Sequence, residues 1–298
     1  MTKQEMLAYT ESKIEEINAL ILGTIKDLVC DAWDKGMESA NTDKAEEFAF
    51  LDPLLMRTPG VAISECVAMA NRMGELAHET LLLAVSQLTG YTEERENQIL
   101  ANEDKLDIYE DKLGNYLVTI SQHGVSMTDM RTVSRLLHAI GDFERIGDHA
   151  LNLQDSAKEL HEKETSFSQE ALTELRVVTA ALDEIMDKAF ASFGADDVAL
   201  AYAVEPLEET IDRLTEEIRR RHVQRLQSGT CTIQLGFVLS DLLTNLERVS
   251  DHCSNIAMSV IEERSSMDRH AYANDLHDAE SFGADLAREM AKYQLPKA

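Results

Sequence analysis

Aromatic residues make up only 5% of this 298-residue chain, with a single tryptophan, and there are just four prolines and 13 glycines. A sheet protein of this size needs more aromatic residues and more turn formers. Alanine, leucine, glutamate, aspartate and methionine abound instead, so an all-α fold is expected. Basic residues are also scarce: 28 Lys and Arg stand against 55 Asp and Glu, a formal charge of −27. Phosphate backbones and anionic membrane surfaces repel such a chain, which argues against direct nucleic-acid binding. No apolar run reaches the roughly 20 residues of a membrane-spanning helix. Cys30, Cys66, Cys231 and Cys253 are scattered, with no CxxC pair and no zinc-finger histidine spacing, and read as small core residues. The N-terminus carries no basic stretch followed by an apolar one; no secretory leader is expected, and the setting is taken as reducing and cytoplasmic. GxGxxG, GxxxxGKS/T, GxSxG and HExxH are all absent, so catalysis has no visible carrier and the chain reads as a non-enzyme.

What is present is long helical periodicity. With 44% hydrophobic residues the chain can bury two cores. Polar or Gly/Pro breaks near 35–43, 51–60, 89–91, 123–126, 165–168, 194–196 and 228–230 leave helices of about 25 to 35 residues between them. Ser126 and Thr128, Ser168 with Glu170, and Asp196–Asp197 mark helix starts. The chain also repeats itself. DFERIGDHALN at 142–152 recurs as NLERVSDHCSN at 245–255, which maps Glu144 onto Glu247 and Asp148 onto Asp251, 103 positions on. EDKLD at 103–107 recurs as EETID at 208–212, 105 positions on. The expected architecture is therefore a tandem duplicated three-helix bundle with extra N- and C-terminal helices. Residues 1–60 form an N-terminal helix and Pro-containing linker, 61–163 the first bundle, 166–265 the second, and 266–298 a C-terminal helix. The amphipathic stretch Ile14–Trp33 must pack on a bundle surface, a second subunit or a membrane partner.

Each ExxxD pair places two carboxylates one turn apart on one helix face. In the third helix the apolar stripe Leu136, Ile140, Phe143, Gly147 and Ala150 leaves Glu144 and Asp148 off one edge. In the second, Ile99, Leu106, Tyr109, Leu113 and Leu117 leave Glu103 and Asp107 off the edge of the same hand. Antiparallel packing brings those edges together. Asp107 lies 17 residues before the turn at Gly124 and Glu144 20 after it; Asp212 lies 17 before Gly229 and Glu247 18 after it. Two clusters at matched height follow: Glu103, Asp107, Glu144 and Asp148, then Glu208, Asp212, Glu247 and Asp251. Such clusters need cations or basic partners to offset their repulsion. Oxygen ligation suits Mg²⁺, Mn²⁺, Ca²⁺ or iron. Arg145 and Arg248 are the alternative as salt-bridge partners, and solvated acidic faces account for most other carboxylates.

His149 and His252 point about 100° away from the preceding aspartates and read as flanking residues. Asn152 and Asn255 could orient a carboxylate, cap locally or bond between helices. Glu75 and His78 spell ExxH, a di-iron motif that needs a second copy, and none exists; the match reads as accidental. Met69, Met73, Met127 and Met130 read as core filler. Trp33 serves packing or partner contact.

ERIGDHALN and ERVSDHCSN, each preceded by an ExxxD helix, resemble the PhoU family over about 61–265. The resemblance implies duplicated three-helix bundles, each holding a metal cluster on the eight carboxylates named above, with iron, Mg, Mn or Zn as divalent or trivalent ions. It also implies a regulator that docks to a phosphate transporter or phosphate-sensing membrane protein and restrains phosphate uptake, reaching the membrane only through that partner. A homo-oligomer stays open. LDPLLMRTP at 51–59, followed by VAISECVAMANRMGELA, is similar to the junction preceding the PhoU region of bacterial sodium/phosphate cotransporter-related proteins. The cytoplasmic regulatory domain of such a cotransporter is thus one alternative. A helical interaction module without metal and, more remotely, a metal-dependent phosphate-ester hydrolase are others.

Overall fold

The computed structural model describes residues 51, 53–122, 124–264 and 280–296. The expected N-terminal helix, with Cys30 and Trp33, lies outside the described residues. A short 3-10 turn, Pro53–Arg57, leads into α1 (Pro59–Gln87), which starts on a proline in its first turn, where the missing N–H costs nothing. Then follow α2 (Glu93–Ser121), α3 (Met127–Glu162), α4 (Gln169–Ala195), a single-turn α5 (Val198–Tyr202), α6 (Glu205–Gln227), α7 (Ile233–Arg264) and α8 (Glu280–Lys292). The described residues contain no strand. None of their helices is long and apolar enough to cross a membrane.

The helix ends are written locally. Thr92, Ser126 and Ser168 accept from the backbone N–H three residues on, and Asp197 takes two such bonds at the start of α5. Asp196, expected to start a helix, instead ends α4 in the left-handed region at φ 54°. Gly124 and Gly229 hold φ of 70° and 73° at equivalent turns of the two repeats, a conformation that costs a β-carbon-bearing residue.

Helices α1, α2 and α3 form one three-helix bundle and α4, α6 and α7 the second; α8 lies on α6. All ten stripe residues named above are buried, as are Met69 and Met73. Met127 and Met130, expected in the core, are 77% and 38% exposed. They occupy the first turn of α3, past the end of the packed stripe. Cys66 and Cys253 are buried as expected, and burial pushes the Cys66 thiol up to about 12. Cys231 departs from its expected core position: it is only partly buried, beside His222 in the turn before α7.

Helices α3 and α7 cross antiparallel as the main seam between bundles, seconded by α1 on α4. His149 Nδ1 lies 2.8 Å from Asn245 Oδ1, and its repeat mate His252 Nδ1 lies 2.8 Å from Asp142 Oδ1. Asn152 and Asn255 donate across the same seam, to Asn245 and Asp142. Of the roles left open for these asparagines, inter-helix bonding is the one adopted. Farther along, buried Arg135 reaches Asp196 at 2.8 Å and Glu263 at 2.9 Å, with its guanidinium 5.2 Å from the Phe193 ring. α8 is held by Lys188 on Glu289 and by Lys292 and Tyr293 on Glu184; although burial opposes it, these donors hold Glu184 down to about 2.

At Gly147 the side chain of Leu106 on α2 lies against α3: a β-carbon there would stand 2.5 Å from Leu106 Cδ1. Leu106 is fully buried and cannot move aside cheaply. Gly147→Ala is expected to destabilise the fold by about 1–3 kcal/mol through overpacking, measured by urea denaturation.

Candidate metal centre

Glu103 and Asp107 lie on α2, Glu144 and Asp148 on α3, Glu208 and Asp212 on α6, and Glu247 and Asp251 on α7. Glu103, Asp107, Glu144 and Asp148 sense one another electrostatically. Glu144 is raised to about 7, first by desolvation, then by Asp148, Asp107 and Glu110, with Arg145 opposing. Glu103 is raised by desolvation, then by Asp107, Asp104 and Asp148, and Asp107 by desolvation, then chiefly by Asp148. In the second bundle Glu208 reaches about 8 through desolvation and then Glu205, Asp212 and Asp251. Asp212 rises to about 6, by desolvation and then Glu247 and Asp251. No three of the eight bring their oxygens within 4.8 Å of one another.

The clusters differ in one respect that sequence reasoning missed. Arg219 forks onto Glu247, with Nη2 to Oε2 at 2.7 Å and a second contact from Nη1, while the Thr215 hydroxyl donates to the same carboxylate. Although burial opposes it, Arg219 and Thr215 hold Glu247 below its ordinary carboxylate value. Sequence reasoning assigned the basic-partner role to Arg145 and Arg248. Arg248 does pair with a cluster carboxylate, Asp251 one turn away at 3.1 Å on the exposed face, whereas Arg145 acts on Glu144 through space. The signal for Arg219 was present: it lies seven residues after Asp212, two turns along the same edge. With the 105-residue offset, Arg219 corresponds to Gly114 and Thr215 to Glu110. The first bundle therefore has an extra acid where the second has a hydroxyl, and no guanidinium.

The donor set fits a hard cation. It is all oxygen and partly desolvated, and in the first bundle no ion pair of Lys or Arg to the four carboxylates is seen among the described residues. Residues 70–157 and 176–260 match the PhoU domain. The chain belongs to the PhoU family. It is 28% identical over 192 residues to the phosphate-specific transport system accessory protein PhoU homolog 1 of Thermotoga maritima, which covers 64% of this chain and 82% of that protein. The Deinococcus radiodurans PhoU homolog is 26% identical over 190 residues, covering 64% and 85%. The crystal structure of PhoU from Pseudomonas aeruginosa shares 25% identity and a TM-score of 0.65, covering 69% of this chain and 99% of that one. PhoU from Streptococcus pneumoniae, at 15% identity and a TM-score of 0.62, shares the fold. Each matched PhoU segment of this chain contains one carboxylate tetrad.

Raised carboxylates tie stability to pH. Burial and its acidic neighbours lift the Glu208 carboxyl from its ordinary value of 4.5, which it keeps in the unfolded chain, to about 8 in the fold. The fold favours its protonated form, so that contribution is complete below about pH 4.5 and is lost as pH rises through about 8. In the presence of chelator, Glu208→Gln is expected to melt higher than the parent at pH 8.5. The gap should close by pH 4.5, as read from helical circular dichroism during thermal denaturation.

Proposed function

We propose that the chain is a regulatory, non-enzymatic protein of phosphate transport that holds divalent or trivalent metal ions in its two carboxylate clusters. It docks on a phosphate transporter or a phosphate-sensing membrane protein and restrains phosphate uptake. The observation carrying the metal part is the duplicated rim: two groups of carboxylates at equivalent positions, with Glu144 and Glu208 lifted by desolvation and by neighbouring acids. A cation removes that repulsion and draws α2 to α3 and α6 to α7 at one height. Supporting the transport part are the family and the accessory role in the names of its relatives. Association with a membrane runs through the partner, in keeping with the acidic surface.

Glu103, Asp107, Glu144 and Asp148 would hold the ions of the first bundle, and Glu208, Asp212, Glu247 and Asp251 those of the second. The Arg219 fork favours a second reading for that second cluster, in which the guanidinium already supplies the neutralising charge and the bundle serves as an interaction surface without metal. The two readings separate on Arg219→Gln. If metal occupies the site, this variant binds metal as well as or better than the parent; if the ion pair is the whole function, it loses stability and gains no metal.

The test is elemental analysis of the purified chain, with thermal melts before and after chelation. Metal at 100 times its dissociation constant stabilises the fold by about 2.7 kcal/mol, so chelation is expected to lower the melting temperature by several degrees. Glu144→Gln with Asp148→Asn should abolish the part due to the first bundle. A chain that carries no metal and melts identically with chelator would sink the metal reading. Unchanged phosphate uptake in cells deleted for the protein would sink the transport reading.

A further inference from the structure

The ExxH motif of Glu75 and His78 faces carboxylates on another helix. On α1, His78 Nε2 lies 2.7 Å from Asp183 Oδ1 and its Nδ1 lies 3.7 Å from Asp187 Oδ1, both aspartates being one turn apart on α4. Among the described residues, these three are the only group of His, Cys, Asp or Glu whose ligating atoms lie within 4.8 Å of one another. The helices run antiparallel there, since Asn71 of α1 stands beside Gly194 of α4.

A neutral imidazole has one N–H and one lone pair. The short contact assigns the N–H to Nε2, donated to Asp183. In that neutral tautomer the Nδ1 lone pair faces a carboxylate oxygen of Asp187 at 3.7 Å, two electron-rich atoms that a shared cation would reconcile. That separation is the spacing of two ligands around one cation at bond lengths of about 2.0–2.2 Å. Histidine ligands commonly donate their other ring N–H to a carboxylate, which fixes the tautomer and aims the free nitrogen at the metal. Asp183 occupies that position. No Lys or Arg forms an ion pair with Asp183, Asp187 or Glu75 among the described residues; nearby Lys188 is engaged with Glu184 and Glu289. Beside the group lies a cavity of about 430 Å³ lined by Asn71, Glu75, His78 and Asp187. It has room for further oxygen ligands or water.

We propose that His78 Nδ1 and Asp187 form a third divalent-metal site on the seam between α1 and α4, completed by Glu75 and water, with Asp183 orienting the imidazole. Its mixed nitrogen and oxygen ligation suits Zn²⁺ or another borderline divalent ion, unlike the all-oxygen clusters. It shares no residue with them and joins one bundle to the other, so occupancy would brace α1 against α4.

The experiment uses the full chain carrying Asp107→Asn, Asp148→Asn, Asp212→Asn and Asp251→Asn, which silences the two clusters, stripped with chelator and titrated with Zn²⁺ by calorimetry. One equivalent is expected. It should be abolished by a further His78→Gln and by Asp187→Asn, and weakened about 10–100-fold by Asp183→Asn. Asp187 is 71% exposed, so its substitution spares the core. A folded background that takes up no Zn²⁺, or an equivalent that survives His78→Gln, overturns the site. Should the fourfold background not fold, Cu²⁺ on the unaltered chain replaces it. Coupling to a ligand nitrogen in the electron paramagnetic resonance spectrum, lost in Asp187→Asn and His78→Gln, supports the site; coupling unchanged in both overturns it.

Discussion

Burial of one apolar stripe against another, α2 on α3 and α6 on α7, sets the position of every charge in the two rims. Leu106, Leu113 and Leu117 lie fully buried on one side and Leu136, Ile140 and Phe143 on the other. Each large side chain so enclosed contributes about 1.5–3 kcal/mol. Against that gain the chain tolerates Glu144 pressed toward Asp148, Asp107 and Glu110. Gly147 tightens the arrangement, because its missing β-carbon lets Leu106 reach the backbone of α3 between the two acids of the motif. The repulsion is a by-product of close helix packing, and the packing is strong enough to hold it.

The seam between bundles has a different chemistry. It is built from polar residues in cross-related pairs, so that His149 finds Asn245 and His252 finds Asp142. At the far end Arg135 is enclosed with Asp196 and Glu263, and Phe143, Phe190 and Phe193 meet edge to face. Buried polar pairs of this kind contribute little net free energy, but they are costly when misaligned. Their role is to fix the orientation of one half against the other.

Features governed by neighbours in sequence were legible from sequence. The caps at Ser126 and Ser168, the apolar stripes, the turns at Gly124 and Gly229 and the duplication all depend on spacings within about a turn or on the repeat itself. The fold followed from these. Features decided by a distant helix were not legible. His78 reads as an isolated ExxH until α4 supplies Asp183 and Asp187, more than 100 residues on. Asn152, Asn255, His149 and His252 sit beside the carboxylates in sequence yet face the opposite bundle. Arg145 and Arg248 drew attention by adjacency, while Arg219, two turns from Asp212, was the residue that reached across. Met127 and Met130 kept helical spacing beyond the point where the bundle stops enclosing its stripe.

The exchange of Gly114 and Glu110 in one repeat for Arg219 and Thr215 in the other means that duplication has not yielded two equal copies. On the proposed metal reading, an ion at the first rim would meet acids with only Arg145 opposing through space, whereas at the second it would have to dislodge a guanidinium from Glu247. The two clusters would then take the same ion at different set points, the first filling at lower concentration than the second. The chain's response to rising ion levels would come in two steps, a range that a symmetric pair of sites could not span.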